Sequence, residues 1–344
     1  MSGGYIPSID GLRAVAISLV VGSHYGLDKF LPGGFGVTLF FFISGYLITS
    51  LLIVEHEATG AISIQSFYIR RFLRLVPALL LMLSGVSLAF YLLNLAIEPI
   101  EISAGLFYFM NYYLIIEGPT KMPIGALWSL AVEEHYYLFF PAVFSLSWRW
   151  RGPFVKAMIV LCGAALLWRI ALSVGVHAPA NRTYLGTDTR IDSILFGAIL
   201  AAVLHSERSK EIRHILESNV AIGAGLGLLL FSLIYRDPFF RETARYTIQG
   251  IALMTIFYSA VFGSNFKFLR NALEGNFATW IGKLSYAIYL WHEPVQFVVD
   301  RTFPAHNKIW LGISELAISI AIASASYYLV ELYFQRLRKH FRPA

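Results

Sequence analysis

Ten long apolar segments recur along the 344-residue chain. About 20 predominantly apolar residues in a helix cross a hydrocarbon core of roughly 30 Å. Lipid offers the backbone no hydrogen-bond partners, and the segments are too long and continuous for the alternating pattern of an outer-membrane barrel. The predicted spans are residues 9–27, 34–54, 75–97, 125–146, 155–174, 191–205, 219–235, 246–263, 277–299 and 309–331. We therefore predict an all-α polytopic membrane protein with about ten transmembrane helices.

The segment at residues 102–116 is short and is interrupted by Gly105, Asn111 and several tyrosines. The positive-inside rule decides whether it crosses. If it does not cross, fifteen cationic residues fall on the side of the N-terminus and seven on the other side. The fifteen are Arg70, Arg71, Arg74, Arg149, Arg151, Lys156, Arg208, Lys210, Arg213, Lys267, Arg270, Arg336, Arg338, Lys339 and Arg342. The seven are Lys29, Lys121, Arg182, Arg236, Arg241, Arg301 and Lys308. We predict cytoplasmic termini, with this segment as a short re-entrant or interfacial helix between the third and fourth spans.

These cytoplasmic anchors explain the net charge of +6, so we predict no nucleic-acid partner. The lone Cys162 excludes an internal disulfide, and we predict no metal. The longest hydrophilic connections are residues 55–74, 175–190 and 206–218, which leave no room for a soluble domain. We expect residues 1–344 to form one transmembrane domain that carries all the chemistry; the sequence does not indicate its oligomeric state.

The first span contains three polar residues on nearly one helical face, Asp10, Arg13 and His24. Eleven residues separate Arg13 from His24, which brings them within about 20° of one face and roughly 16 Å apart along the axis. Ionisable residues within a span are expensive and mark functional sites. The alternative is an interfacial Asp10–Arg13 anchor and a structural histidine.

The third span is preceded by a cluster of arginines. Arg70 and Arg74 lie one turn apart, with Arg71 beside them, and guanidinium groups bind phosphate in bidentate fashion. The cluster indicates a docking site for a phosphorylated cofactor on the cytoplasmic side. Ordinary positive-inside anchoring is the alternative.

The fourth span carries Glu133, Glu134 and His135. The two glutamates point about 100° apart, so at least one faces the interior of the helix bundle, where it is suited to proton transfer. Two carboxylates beside an imidazole are difficult to explain by packing alone.

Two further groups indicate the lining of a site. In the ninth span Ser285, Tyr289 and His292 share one helical face, although tyrosine is also common at membrane interfaces. Arg190 and Asp192 open the sixth span, where a local salt bridge is the alternative.

Together these segments resemble acyltransferase family 3, a family of bacterial membrane acyltransferases. The resemblance covers nearly the whole chain, through residues 5–13, 70–74, 128–134 and 285–292 and through His24. Residue by residue, the arginine and histidine of the family's first helix correspond to Arg13 and His24. Its Arg-x-x-Arg pair corresponds to Arg71 and Arg74. The family's acidic element corresponds to Glu133 and Glu134; the chain then has His135 where a glutamine is usual.

The resemblance implies transfer of an acyl group, commonly acetyl from cytoplasmic acetyl-CoA, to a hydroxyl of a carbohydrate or another exported molecule. It implies a protein of the bacterial inner membrane. We expect Arg71 and Arg74, with help from Arg13 and the neighbouring Arg70, to hold the CoA phosphates. His24 is then either the general base for the acceptor hydroxyl or a covalent acyl carrier, with Glu133 or Glu134 orienting it.

Two other functions compete with this interpretation. Intramembrane glutamate, histidine and arginine residues are also typical of proton-coupled exporters and flippases, but no inverted repeat is evident. A sensor or scaffold without catalysis accounts poorly for so many interior ionisable groups.

Overall fold

The computed structural model describes residues 5–263, 266–303 and 308–341, and all regular secondary structure in these ranges is helical. Arg342, counted above among the cytoplasmic cations, lies outside them. The α-helices are α1 Pro7–Gly22, α2 Gly33–Thr59, α3 Ile64–Leu92, α4 Pro99–Leu106, α5 Met110–Ile116, α6 Leu127–Ser147, α7 Arg151–Ile170, α8 Ala180–Leu185, α9 Thr187–Leu204, α10 Ser209–Glu217, α11 Asn219–Ile234, α12 Pro238–Glu242, α13 Ala244–Val261, α14 Lys267–Glu274, α15 Asn276–Thr302, α16 Lys308–Ser326 and α17 Leu332–Arg338. Helical turns of the π type follow α1, α7 and α16 at Ser23–Leu27, Ala171–Gly175 and Tyr327–Glu331, and a 3₁₀ turn, Lys339–Phe341, follows α17.

Each of the ten predicted spans coincides with one of these helices, which are α1, α2, α3, α6, α7, α9, α11, α13, α15 and α16. By length and hydropathy, four helical segments of the described chain qualify to cross a membrane: Gly33–Thr59, Ile64–Leu92, Arg151–Gly175 and Ile309–Arg338. A fifth qualifies if Ser209–Glu217 and Asn219–Ile234, bent by 65°, form one span. The remaining predicted spans include α6 and α15, whose charged residues lower their hydropathy. The structure therefore shows a helical membrane protein, and the number of crossings stays a prediction.

The predicted short element between the third and fourth spans consists of two helices, α4 and α5, of eight and seven residues. At 1.5 Å per residue, the longer one covers about 12 Å, well short of a membrane crossing. The turn between them includes Tyr108, which has a positive φ of 59°.

The chain divides into two compact units, and the boundaries fall within α1, α6 and α15. The first unit contains Met1–Ala16, Gly34–Ile62 and Val132–Gly282. The second contains Ile17–Gly33, Ser63–Ala131 and Lys283–Ala344.

The core of the first unit is built on close helix packing and one buried ion pair. A Cβ at Gly45 of α2 would lie 1.9 Å from the Ile194 carbonyl oxygen of α9, so only glycine permits this approach of the two backbones. Arg169 of α7 and Asp192 of α9 are fully buried and form two hydrogen bonds, of 3.0 and 2.7 Å. Thr247 of α13 donates to the same carboxylate at 2.8 Å. The pair thus ties three helices together.

In the second unit, α15 packs against α3 and α16. The hydroxyl of Tyr286 donates to the carbonyl of Leu75 at 2.9 Å, and the rings of Phe90 and Phe297 stack with centroids 5.3 Å apart. These contacts fix the middle of α15, which carries the residues described next.

Candidate active site

His24 lies in the π-type turn Ser23–Leu27, directly after α1 ends. The turn breaks helical geometry at Tyr25 and Gly26, and Gly26 has a φ of 91°, which suits a residue without a Cβ. Turns of this type frequently occur at functional sites. The His24 side chain is 37% exposed, so its ring can be reached from outside the helices.

The turn is held in place by α15 and α16. The buried Tyr25 donates its hydroxyl to the His292 carbonyl at 3.0 Å and lies 2.6 Å from the Ser319 hydroxyl. The side-chain amide of Gln296 donates to the carbonyl of His24 at 2.8 Å. The imidazole of His24 therefore projects from a fixed backbone.

Two neighbouring residues of α15, His292 and Glu293, face the imidazole of His24. Its Nδ1 lies 4.0 Å from Oε1 of Glu293, and its ring centroid is 4.9 Å from that of His292, with the rings inclined by 71°. His292 is fully buried, and its Nδ1 lies 2.6 Å from the carbonyl oxygen of Tyr289. The site thus combines two imidazoles with one carboxylate.

Glu293 is oriented by the start of α6. Its Oε2 accepts a hydrogen bond of 2.8 Å from the amide of Ala126, the residue before the helix begins. The positive end of a helix dipole stabilises an anionic carboxylate. The arrangement therefore fixes the Glu293 side chain with its other oxygen, Oε1, towards His24.

The loop that supplies the Ala126 amide is fixed by Glu101 of the short helix α4. This carboxylate is almost fully buried and accepts from the amides of Lys121 and Met122 at 2.8 and 2.9 Å. The hydroxyl of Tyr113 in α5 donates to it at 3.2 Å. The short helices α4 and α5 thus position the loop before α6.

His24, His292 and Glu293 are also the residues that could be considered for a metal, since their ligand atoms lie within 4.8 Å of one another. Nitrogen and oxygen ligands at about 2.1 Å from a tetrahedral zinc ion lie about 3.4 Å apart. The 4.0 Å between His24 and Glu293 is wider than that. A tetrahedral ion would therefore require these side chains to move closer together.

Tyr289 and Ser285, predicted to line a site, lie on the same helix. Tyr289 donates its hydroxyl to the Ala126 carbonyl at 2.8 Å and lies 2.7 Å from the Ser129 hydroxyl. Ser285 is fully buried. An apolar cavity of about 260 Å³ also borders α15, lined in part by Phe90, Pro123, Trp291, Pro294 and Phe297.

The acidic residues predicted on α6 belong to the first unit. Glu133 accepts hydrogen bonds from the hydroxyls of Ser44 and Tyr137, at 2.9 and 3.3 Å, and Glu134 is half-buried beside it. Nδ1 of His135 lies 2.7 Å from the Thr187 hydroxyl. Their catalytic and substrate-lining roles stay predictions.

Arg190 and Asp192 are both fully buried in the first unit. Asp192 is the partner of Arg169 described above. Arg190 donates to the Thr38 hydroxyl at 3.1 Å and lies 4.0 Å from the ring centroid of Tyr246. Their substrate-lining roles stay predictions.

Asp10 and Arg13 form the predicted pair within α1, at 3.9 Å, and Tyr5 donates to Asp10 at 2.8 Å. The cationic cluster lies on α3. Arg70, Arg71 and Arg74 are all partly exposed, and Arg70 donates to the Phe341 carbonyl at 2.8 Å.

The sequence analysis did not select Glu293 or Glu101. Glu293 shares the sequence feature that makes Glu133 a candidate, because both are carboxylates within an apolar segment. The helical face that predicts Ser285, Tyr289 and His292 does not include Glu293, because the next residue of a helix points about 100° away. No sequence signal marks Glu101, because its partners are backbone amides about 20 residues away.

The comparisons with known proteins agree with the resemblance stated above. A family model described as an acyltransferase domain matches residues 6–329. A protein of Staphylococcus aureus (strain COL) that carries the provisional name O-acetyltransferase is 33% identical over 96% of this chain and 58% of its own. The peptidoglycan O-acetyltransferase OatA of Listeria monocytogenes is 33% identical over 95% of this chain and 55% of its own. O-acetyltransferase OatA of S. aureus (strain NCTC 8325 / PS 47) is 32% identical over 95% of this chain and 57% of its own.

The chain thus spans little more than half the length of these relatives. No solved structure matches it. Because the domain model and the relatives cover nearly all of the sequence, the chain belongs to acyltransferase family 3.

Proposed function

We propose that this protein is a membrane-bound O-acyltransferase that moves an acyl group, namely acetyl, from cytoplasmic acyl-CoA to a hydroxyl of a carbohydrate or other cell-envelope acceptor. The observation that carries the proposal is the partly exposed imidazole of His24 with the Glu293 carboxylate 4.0 Å from its Nδ1. An imidazole titrates near physiological pH and can activate a hydroxyl, which is otherwise a poor nucleophile.

In the first scheme His24 acts as general base. The acceptor O–H bond breaks as its proton passes to His24, and the oxygen forms a bond to the thioester carbonyl carbon. The C–S bond then breaks, and the CoA thiolate leaves and takes the proton from His24. Glu293 stabilises the imidazolium between these two proton transfers.

In the second scheme His24 attacks the thioester itself, releases the CoA thiolate and carries the acyl group to the acceptor hydroxyl. The hydroxyl then forms the ester bond and its proton replaces the acyl group on the imidazole. Acyl-labelled protein, trapped by acid quench before acceptor is added, distinguishes the second scheme from the first.

For the donor, we propose that Arg71 and Arg74 hold the CoA phosphates, assisted by Arg70 and Arg13. The arginines are partly exposed, and guanidinium groups bind phosphate in bidentate fashion. Arg71→Ala and Arg74→Ala should weaken CoA binding in isothermal titration, and unchanged affinity would refute this assignment.

We further propose that the whole chain forms one acyltransferase domain in the bacterial inner membrane. It crosses the membrane ten times, and both termini lie in the cytoplasm. Charge bias supports this orientation, because it collects fifteen cationic residues on one side. Cysteine accessibility at positions in the 175–190 and 206–218 connections tests it. These connections should be labelled from opposite sides.

A carbohydrate is the proposed acceptor class, since one relative is named a peptidoglycan O-acetyltransferase. The decisive experiment uses purified protein in detergent, labelled acetyl-CoA and chitotriose as the hydroxyl acceptor. Wild-type protein should form acetylated chitotriose, His24→Ala should not, and the matched variant of the exposed His214 on α10 should behave as wild type. Equal rates for wild type and His24→Ala would eliminate both schemes. Because transport cannot be observed in detergent, transfer there also speaks against a pure exporter or flippase.

A further inference from the structure

His292 has a defined tautomer and a lone pair that nothing in the described structure satisfies. The Tyr289 carbonyl can only accept, so the 2.6 Å contact means that Nδ1 of His292 carries the hydrogen. Nε2 is then an acceptor, and it is buried without a hydrogen-bond partner among the described residues. A buried polar atom of this kind costs stability, so its presence calls for an explanation.

The ring of His24 lies beside the ring of His292. The two ring centroids are 4.9 Å apart, and the ligand atoms of His24, His292 and Glu293 lie within 4.8 Å of one another. A neutral imidazole has one N–H donor, whereas an imidazolium has two. Protonated His24 therefore has a donor for the Glu293 carboxylate and a second one for Nε2 of His292.

We propose that His292 is a positioning residue for His24: its Nε2 accepts a hydrogen bond from the protonated imidazole and, together with Glu293, holds that ring during acyl transfer. This inference rests on the proposed function, in its general-base scheme. The contact forms when a ring nitrogen of His24 comes within hydrogen-bond distance of Nε2 of His292, about 2.9 Å. A partly exposed ring has room for this movement.

His205 provides a matched control in the same chain. Its Nδ1 also lies near a backbone carbonyl, that of Ala201 at 2.9 Å, and its Nε2 is likewise buried without a partner. His205 differs in its neighbours. Among the described residues, the group of three or more histidine, cysteine or acidic side chains with nearby ligand atoms consists of His24, His292 and Glu293, and His205 does not belong to it.

The test compares His292→Leu, His292→Gln and His205→Leu with wild type in the chitotriose assay, and repeats it with trifluoroethanol, a more acidic alcohol. Leucine removes the lone pair, and glutamine restores an acceptor at similar reach. Losing a hydrogen bond to a charged group should lower kcat/KM of His292→Leu for chitotriose about 10- to 100-fold. The loss should be smaller for trifluoroethanol, which needs less help from a base. His292→Gln should keep most activity, and His205→Leu all of it.

Thermal unfolding separates this role from a packing defect. His292→Leu removes the unsatisfied acceptor and also the Nδ1 hydrogen bond to Tyr289; because these two effects oppose each other, the melting temperature should change little. Wild-type activity of His292→Leu, an equal loss with both alcohols, or a glutamine variant as inactive as the leucine variant would each overturn the inference while leaving the proposed function intact. A wild-type protein that acetylates neither alcohol would instead refute the proposed function, and the role of His292 with it.

Discussion

The substitution Glu293→Gln tests the electrostatic basis of the candidate active site. Glutamine has the same shape, so its side-chain oxygen can still accept the Ala126 amide at 2.8 Å, but the negative charge is lost. Two unit charges 4.0 Å apart attract each other by about 1 kcal/mol in water and about 4 kcal/mol at an effective dielectric constant of 20. His24 is 37% exposed, so solvent screening favours the lower part of this range, about 1 to 2 kcal/mol. The expected loss in kcat/KM is therefore about 5- to 30-fold.

The assay for Glu293→Gln is transfer from labelled acetyl-CoA to chitotriose at fixed pH, with kcat and KM for both substrates. The loss should appear in kcat, since the carboxylate stabilises the imidazolium that forms during the reaction. Glu217→Gln is the matched control, because that glutamate accepts a hydrogen bond from Tyr258 at 3.4 Å in the first unit. A Glu293→Gln protein within twofold of wild type would refute the electrostatic role of this carboxylate.

Three further predictions concern stability and geometry. Arg169→Met leaves Asp192 buried without its partner, so it should destabilise the protein by about 3 to 5 kcal/mol in detergent unfolding, and adding Asp192→Leu should recover part of the loss. Glu101→Gln leaves one side-chain oxygen to accept two backbone amides, so it should lower the free energy of unfolding by about 1 to 3 kcal/mol. It should also lower the rate of acyl transfer, because the loop before α6 is displaced. Unchanged activity would contradict the link between this loop and the site. Gly26→Ala places a Cβ at a φ of 91°, which should cost about 1 to 2 kcal/mol and reduce kcat more than donor affinity, as titration of CoA against turnover would show.

Hydropathy alone predicted the positions of the helices well, because a run of about 20 apolar residues in lipid can satisfy its backbone hydrogen bonds within the segment only as a helix. The predicted span at residues 219–235 and the helix Asn219–Ile234 differ by one residue. The span at residues 75–97 is less accurate: its helix, Ile64–Leu92, begins eleven residues earlier. The polar sequence around Arg70 and Arg74 predicts a loop, yet the helix, capped by Ser63, continues through it because its residues have adequate helix propensity.

Hydropathy could not predict the turn at His24. Residues 9–27 read as one continuous span, whereas the α-helix ends at Gly22 and a π-type turn follows. Helical phase computed across that break overstates how well Arg13 and His24 remain in register. The break depends on long-range contacts, chiefly the hydroxyl of Tyr25 with Ser319, which no local pattern can indicate.

Two pairs of a basic and an acidic residue, Arg169–Asp192 and His24–Glu293, differ both in burial and in the distance between the partners. Arg169 and Asp192 are fully buried and hydrogen-bonded at 2.7 Å, so their charges are satisfied within the fold and stabilise helix packing. His24 and Glu293 stand 4.0 Å apart, and both retain some exposure. That gap leaves the imidazole without a closed ion pair in the resting protein, while a charge that arises on it during reaction finds a carboxylate at close range. An intramembrane ionisable residue is therefore a better candidate for catalysis when its partner is near but not engaged than when the pair is complete.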